Sequence, residues 1–389
     1  MNGGILLINS NTVSIFETAD YSAETLRAVV EKHFSALGLE DLIKPETKVM
    51  IKPNLLMKAS PEASITTHPE LVAALINKLQ SMGVQNIVIA ESPGGTYSKP
   101  LLSMIYGSCG YKRFENLPGV TLNYDFSSKK TTFPEGKTVR EFELISPVFE
   151  ADFIISVAKL KTHAHTGLSG AVKNLFGTVP GLMKPEFHFR FQEKEPFCDM
   201  LVDLCECVKP SLAIVDAIWS MEGDGPSGGT KKYTGLTVAS QNPYFCDLAL
   251  CGVMGFDPSE AGTVTASIQR GLCPDSLSEL TLVGDTGFIG KYSFIRPKSV
   301  KPNFVDKLPH FLNKPVEFIE KKFLSPRPKL QRKLCVGCGR CAESCPAKAI
   351  DIIDRKAVIH DSECIRCFCC QEMCPVKAIV IKRFSILKL

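Results

Sequence analysis

From the start of the chain to about residue 290, short apolar runs alternate with windows in which apolar positions recur every three to four residues. A run of four to six apolar residues reads as a buried strand, and the 3.6-residue recurrence reads as a helix with one face on a core. On this basis strands are predicted at residues 5–8, 13–16, 49–51, 86–90, 153–158, 212–215, 235–239 and 280–283. Helices are predicted at 21–37, 69–82, 100–106, 197–208, 244–254 and 259–269. Ser22 stands where an N-cap belongs and Gly38 where a helix stops. Residues 120–147 read as antiparallel or irregular strands. The alternation predicts an α/β fold, a mostly parallel sheet with helices on both faces.

Polar clusters follow the apolar strands directly: Lys52 and Asn54, Glu91, the stretch from Lys159 to His165, and Asp216 to Glu222. In a parallel sheet those strand ends lie on one edge, where such folds bind ligands. Lys52, Lys159, Lys161 and Lys173 would make that edge cationic, and a short helix starting near Ser169 would add free backbone amides. A small anionic ligand is therefore expected, with Asn54, Glu91 and Asn174 among its contacts. His163 and His165 alternate, so on an extended segment they would face the same way. With Lys161 and Glu222 they are candidates for acid-base work, and with His188 for a transition metal or a proton shuttle. Asp216, Glu222 and Asp224 could bind a divalent cation or pair with the lysines. Residues 167–174 miss the Walker A spacing. The one G-x-G-x-x-G, Gly223 to Gly228, runs into Gly229-Thr230-Lys231-Lys232 rather than a helix. Neither ATP hydrolysis nor a built-in hydride cofactor is expected.

The last fifty-odd residues narrow the chemistry furthest. Cys335, Cys338, Cys341 and Cys345 run C-x-x-C-x-x-C-x-x-x-C ahead of Pro346, and the run recurs as Cys364, Cys367, Cys370 and Cys374 ahead of Pro375. The flanks repeat too, as Lys348-Ala349-Ile350 and Lys377-Ala378-Ile379. Zinc ribbons need only two cysteine pairs, so the third cysteine and the Cys-Pro argue against zinc. Residues 334–383 resemble the two-cluster bacterial-type ferredoxins. The resemblance implies a small α+β domain holding two 4Fe-4S clusters, with the fourth cysteine of each run reaching across to the other cluster. One cluster would take Cys335, Cys338, Cys341 and Cys374, the other Cys364, Cys367, Cys370 and Cys345. Cys369 is then a bystander thiol, unless the register is swapped with Cys370.

A second resemblance lies in Lys159-Leu160-Lys161-Thr162-His163, in Gly170-Ala171-Val172-Lys173-Asn174-Leu175-Phe176-Gly177, and in Asp216-Ala217-Ile218 through Met221-Glu222-Gly223. These are similar to the core motifs of domain-of-unknown-function family 362, over about residues 45–255. Members commonly carry a two-cluster ferredoxin tail, which implies one polypeptide with two coupled parts.

Composition adds bounds. At 389 residues and 44% hydrophobic content the chain can bury a large core. Its cysteines outside the two runs have no disulfide-framework spacing, Met1 to Ser10 has no basic leader pattern, and no apolar run reaches membrane-helix length. A cytoplasmic protein without a membrane span, from an anaerobic setting, is expected. The formal charge of +4 is uneven. Residues 1–295 carry 25 basic and 32 acidic side chains, residues 296–333 carry 11 and 3, and the rest 9 and 6. The expected organisation is a main domain at 1–295, a basic, proline-rich linker at 296–333 with a short helix near 315–323, and the ferredoxin-like domain at 334–389. The linker's charge is read first as lying over the acidic main domain and the cysteine-bearing tail, and could otherwise face an acidic redox partner or anionic lipid, while nucleic acid is not expected. Two functions compete. One is an iron-sulfur oxidoreductase relaying low-potential electrons to a small anionic substrate or cofactor. The other is a non-enzymatic electron carrier or maturation factor whose main domain recognises a protein client.

Overall fold

The computed structural model describes residues 11–299 and 326–382. The strand expected at 5–8, the helix expected at 315–323 and most of the expected linker lie outside the described residues.

The first part of the chain folds as the alternation requires. Strand β1 (Thr12–Glu17) leads to helix α1 (Ala23–Leu37), where the Ser22 side chain accepts from Thr25 N and Gly38 closes the end at φ 61°. Then come β2 (Lys48–Pro53), α2 (Pro69–Ser81), β3 (Asn86–Ile89), α3 (Lys99–Ser108) and β4 (Val120–Leu122). A hairpin, β5 (Ser128–Thr132) and β6 (Glu141–Ile145), and a short helix α4 (Pro147–Glu150) precede the central strand β7 (Phe153–His163), which turns back into β8 (Gly167–Ser169). Helices α5 (Ala171–Asn174), α6 (Met183–Arg190) and α7 (Lys194–Val208) follow. The chain continues through β9 (Leu212–Glu222), β10 (Thr230–Ser240), α8 (Pro243–Met254), α9 (Gly262–Gln269) and β11 (Thr281–Gly284).

These strands form one nine-stranded sheet in the order β11-β1-β10-β9-β7-β2-β3-β4, with β8 paired to β7. Pairing is parallel from β9 through β7, β2 and β3 to β4, and between β1 and β11, while β10 runs against both its neighbours. Alternate strand residues serve opposite faces. Val49, Ile51, Ile155, Val157 and Ile214 pack against α1, α2 and α3. Met50, Ile154, Ala158 and Val215 pack against α7, α8 and α9 on the other side. Every residue of β7 is buried. The region from 216 to 232, expected as a loop, is largely the continuation of β9 and β10 as a long antiparallel ribbon. Its polar residues hid a strand whose face is covered by neighbours rather than by its own apolar content.

A buried carboxylate ties the β5-β6 turn to the helical layer. Asp203 on α7 accepts from the amides of Lys137, Thr138 and Val139 at 3.0, 2.7 and 2.9 Å and from Arg270 Nη2 at 2.7 Å.

The tail has its own small sheets: β12 (Arg327–Leu330) pairs with β15 (Ile379–Lys382), and β13 (Ile350–Ile353) with β14 (Lys356–Ile359). Two one-turn helices, α10 (Arg340–Glu343) and α11 (Cys369–Glu372), each start within a cysteine run. Regular structure in the tail thus begins at Arg327, inside the segment read as linker. Among the described residues no helix is long and apolar enough to cross a membrane.

Because Asp203 is fully buried, its removal strands three amides and a guanidinium. Asp203→Ala is expected to lower unfolding free energy by about 3–5 kcal/mol in denaturant melts, whereas a surface control such as Lys130→Ala shifts it by no more than about 0.5 kcal/mol.

Candidate functional site

Strand ends β2, β3 and β7 and the turn into α5 meet at one edge of the sheet, and an ion pair organises them. Lys52 Nζ donates to Glu91 Oε2 at 2.6 Å, to Pro53 O at 2.8 Å and to Asn174 Oδ1 at 3.2 Å. Asn174 returns its amide to Lys52 O at 3.1 Å and to Ser156 Oγ at 3.0 Å. Lys52 is fully buried, which lowers its pKa, and the charge of Glu91 works the other way. Gly177 closes over this pair, because a Cβ there would lie 1.9 Å from Glu91 Oε1 and 2.6 Å from Lys52 Nζ.

In front of the pair lies a cavity of about 90 Å³, lined by Asn54, Glu91, Lys161, His163, Lys173 and Lys184 among others. The last wall comes from the tail, where Ser344, Cys369, Glu372 and Met373 complete the lining. The joint is fitted closely. A Cβ on Gly94 would lie 2.6 Å from Met373 Sδ, Ser227 Oγ donates to Glu372 O at 3.1 Å, and Gln371 Nε2 donates to Asp224 O at 3.0 Å.

Three ammonium groups face the cavity in different states. Lys161 Nζ donates to Asn54 Oδ1 and Ile65 O, both at 2.7 Å, and burial pulls its pKa down to about 7. Lys184 is held by the carbonyls of Val179 and Ser92 at 2.6 and 2.7 Å, and burial brings it too to about 7. Lys173 has no hydrogen-bond or ion-pair partner among the described residues. It rests 4.7 Å from the Phe176 ring centroid and 5.6 Å from that of Phe197, contacts that suit a cation, while burial lowers its pKa against the opposing pull of Glu372.

His163 ends β7. The amides of His165 and Thr166 donate to its Nδ1 at 3.0 and 3.3 Å, so the ring proton sits on Nε2. That atom lies 3.3 Å from Glu372 Oε1, in a contact too oblique to satisfy the carboxylate oxygen, which is buried without a hydrogen bond. Burial holds His163 neutral, reinforced by Lys173, and raises Glu372 against the opposing pull of Lys173 and Lys161.

The structure thus brings together Lys52, Asn54, Glu91, Lys161, His163, Lys173 and Asn174. It sets others apart. Lys159 forms a buried cross-strand pair with Asp216 at 2.9 Å, covered by Tyr21, whose hydroxyl bonds both, and does not line the cavity. His165 does not share a direction with His163, because residues 164–166 are a turn rather than a strand. Its ring instead packs 4.8 Å from that of Phe197 and 5.7 Å from that of His188. Glu222 binds Lys232 at 2.8 Å and the amide of Ile295 at 3.0 Å, outside the cavity. The amides expected near Ser169 are spent, since those of Ala171 and Val172 donate to Asp247 at 2.6 and 3.2 Å. Among the described residues no three His, Cys, Asp or Glu side chains converge on a single-ion site. Lys184, Phe176, Cys369, Glu372 and Met373 were not singled out as cavity residues by sequence. Only the docking of the tail reveals the last three.

In the tail, Cys335, Cys338, Cys341 and Cys374 line one small cavity together with Pro375. Cys364 lies near Cys367 and Cys345, which add to the effect of burial in raising its thiol pKa, and the same three cysteines act on Cys370. Cys341, of the other group, also lies near Cys370. Amides of Ala349 and Ala378 donate to Cys345 Sγ and Cys374 Sγ at 3.3 and 3.1 Å. An all-sulfur group around a small space, as Cys335, Cys338, Cys341 and Cys374 form, suits an iron-sulfur cluster.

Comparison with known proteins agrees. The model of the domain of unknown function DUF362 matches residues 49–252, just over half of the chain, and that of a 4Fe-4S dicluster domain matches residues 327–375. The chain belongs to the DUF362 family. Its C-terminal part is an iron-sulfur electron-transfer domain. A thylakoid-associated protein of Synechocystis sp. is 29% identical over 272 residues, covering 69% of this chain and 82% of its own. Among solved structures, the lactate racemase apoprotein of Thermoanaerobacterium thermosaccharolyticum aligns with TM-score 0.40 at 16% identity, covering 64% of this chain and 58% of its own. A Thermotoga maritima protein aligns with TM-score 0.35 at 14% identity, covering 53% and 52%.

With Lys161 and Lys184 titrating near 7, anion affinity should depend on pH. Both are charged below that value and lose the proton above it, so binding of a carboxylate with no titration of its own in this range should weaken as pH rises above 7, by up to about tenfold per pH unit for each of the two lysines it contacts. Calorimetric titration from pH 6 to 9 measures this.

Proposed function

We propose that this chain is an iron-sulfur oxidoreductase that exchanges single electrons with a small anionic substrate or cofactor held in the cavity at the sheet edge. The observation that carries this reading is the shared wall: Lys161 and Lys173 come from the α/β part, while Cys369 and Glu372 come from a helical turn that lies between Cys367 and Cys374. The two cysteine sets, Cys335, Cys338, Cys341, Cys374 and Cys364, Cys367, Cys370, Cys345, would hold two 4Fe-4S clusters and so supply one-electron chemistry beside the cavity.

The remaining chemistry belongs to the chain's own groups. Lys173, with no other hydrogen-bond partner, would anchor the anion, and Lys161 and Lys184 would complete its cationic surround. Asn54 is fixed by Lys161 and Asn174 and can orient a polar group of the ligand. His163, proton on Nε2, and Glu372 stand where a proton could accompany an electron. Phe176, Pro185 and Met373 make the remaining surround less polar, which strengthens each charged contact. A small cavity with buried walls suits a small molecule better than a protein client. The remaining cysteines, all free thiols, are in keeping with a reducing cytoplasm.

The test is anaerobic. Full-length protein loaded with iron and sulfide is reduced, candidate anionic acceptors are added, and the return of visible absorbance is followed. One acceptor should reoxidise the wild type. Lys173→Met should slow that reaction by about 10- to 100-fold, the loss of one charge-assisted hydrogen bond, with iron and sulfide content unchanged. If no small anion ever reoxidises the protein while external electron carriers do so readily, the reading fails.

A further inference from the structure

Each cysteine set has two buried members, and they differ at one position: the set of Cys335, Cys338, Cys341 and Cys374 has an exposed thiol, Cys338, which makes it the outer of the two. Cys367 and Cys370 are buried next to the cavity wall, whereas Cys338 is exposed. Around that outer set the surface is apolar. Val336, Ile352 and Val376 line the same small cavity as Cys335, Cys338, Cys341 and Cys374 and are 54, 37 and 38% exposed. Leu334, next to Cys335, is 49% exposed. Scattered apolar side chains on a surface need no explanation, but several gathered over one redox-competent group do.

The rim of this patch is basic. Arg332 and Lys333 precede Leu334, Lys377 follows Val376, and Arg355 is held against the outer loop, its carbonyl oxygen 2.3 Å from where a Cβ on Gly337 would stand. All four side chains are exposed, and none makes an ion pair among the described residues. Of the nearby carboxylates, Asp351 is engaged by His360 at 2.8 Å, which leaves Asp354 as the main opposing charge. An apolar centre inside a charged rim is the anatomy of a protein interface, and phosphate backbones would have no use for the apolar centre.

We propose that this face is the docking surface for a small one-electron carrier protein, with an acidic rim around its own exposed redox centre. One electron leaves the reduced carrier, which is thereby oxidised by one unit, and enters through the centre that Cys335, Cys338, Cys341 and Cys374 would hold. The inner cysteine set then lies between that entry and the cavity. This proposal rests on the cysteines holding clusters and is independent of what the cavity binds.

The probe is a reduced acidic ferredoxin, mixed anaerobically with the iron-loaded full chain. Calorimetric affinity and stopped-flow electron transfer are measured at about 50 and 200 mM salt, a range over which screening of exposed charge rises substantially. Association is expected to weaken with salt. The double variant Lys333→Glu with Lys377→Glu, at two exposed rim positions outside the lining of the cysteine cavity, is expected to reduce association rate and affinity about tenfold or more. Its iron content and its reduction by dithionite should match the wild type, which separates a docking defect from a cluster defect. Lys130→Glu, on the β5-β6 hairpin, is the control and should bind as wild type. The proposal is overturned if the double variant binds and accepts electrons like the wild type, if binding is indifferent to salt, or if anionic lipid vesicles bind this face while the ferredoxin does not. Failure of the cavity assay above, with this assay intact, would leave the docking surface standing.

Discussion

The contact between Lys52 and Glu91 is the constraint around which the sheet edge is arranged. Neither charge can stay unpaired at that depth, so the ends of β2 and β3 must meet, and Asn174 must be placed to share the ammonium. That requirement fixes the turn into α5 and forbids a side chain at position 177. Lys173, the neighbour of Asn174, is thereby directed to the cavity. A structural ion pair therefore sets the position of Lys173, whose ammonium group has no hydrogen-bond partner among the described residues.

The same economy of partners divides the lysines of this edge by role. Lys52 and Lys159 are consumed by Glu91 and Asp216, Lys184 is wrapped in carbonyls, and Lys161 is half engaged. Lysines that look equivalent along the chain differ in how many of their protons are already spoken for. Because the amides at the start of α5 belong to Asp247, the positive potential of the cavity comes from side chains, and hence from groups that can titrate.

Most of the fold was legible because apolar periodicity reports burial directly. The helices at 21–37, 69–82 and 197–208 and the strands at 49–51 and 86–90 lie within a few residues of α1, α2, α7, β2 and β3. The continuations of β7, β9 and β10 were not legible, since their outer halves carry lysine, histidine, aspartate and glycine; those of β7 and β9 are buried by partners distant in the sequence, and that of β10 is exposed. At the site, placement past strand ends identified Lys52, Asn54, Glu91, Lys161 and His163. It could not separate these from Lys159, whose partner Asp216 lies on the neighbouring strand, nor foresee the turn that sends His165 away. The iron-sulfur character of the tail was readable because thiolate spacing is stringent. Glu372 and Met373 were silent, as nothing in a repeat of cysteines tells which side of its short helix meets another domain.

The seating of Met373 against the bare backbone of Gly94 has a practical corollary. One wall of the cavity is lent by Cys369, Glu372 and Met373, far along the chain from the lysines it faces. A truncated α/β fragment ending before Arg327 would keep Lys161, Lys173 and the ion pair beneath them, yet its cavity would stand open to solvent where Cys369, Glu372 and Met373 belong. Ligand affinities measured on such a fragment would describe a shallower and wetter groove than the one the intact polypeptide builds.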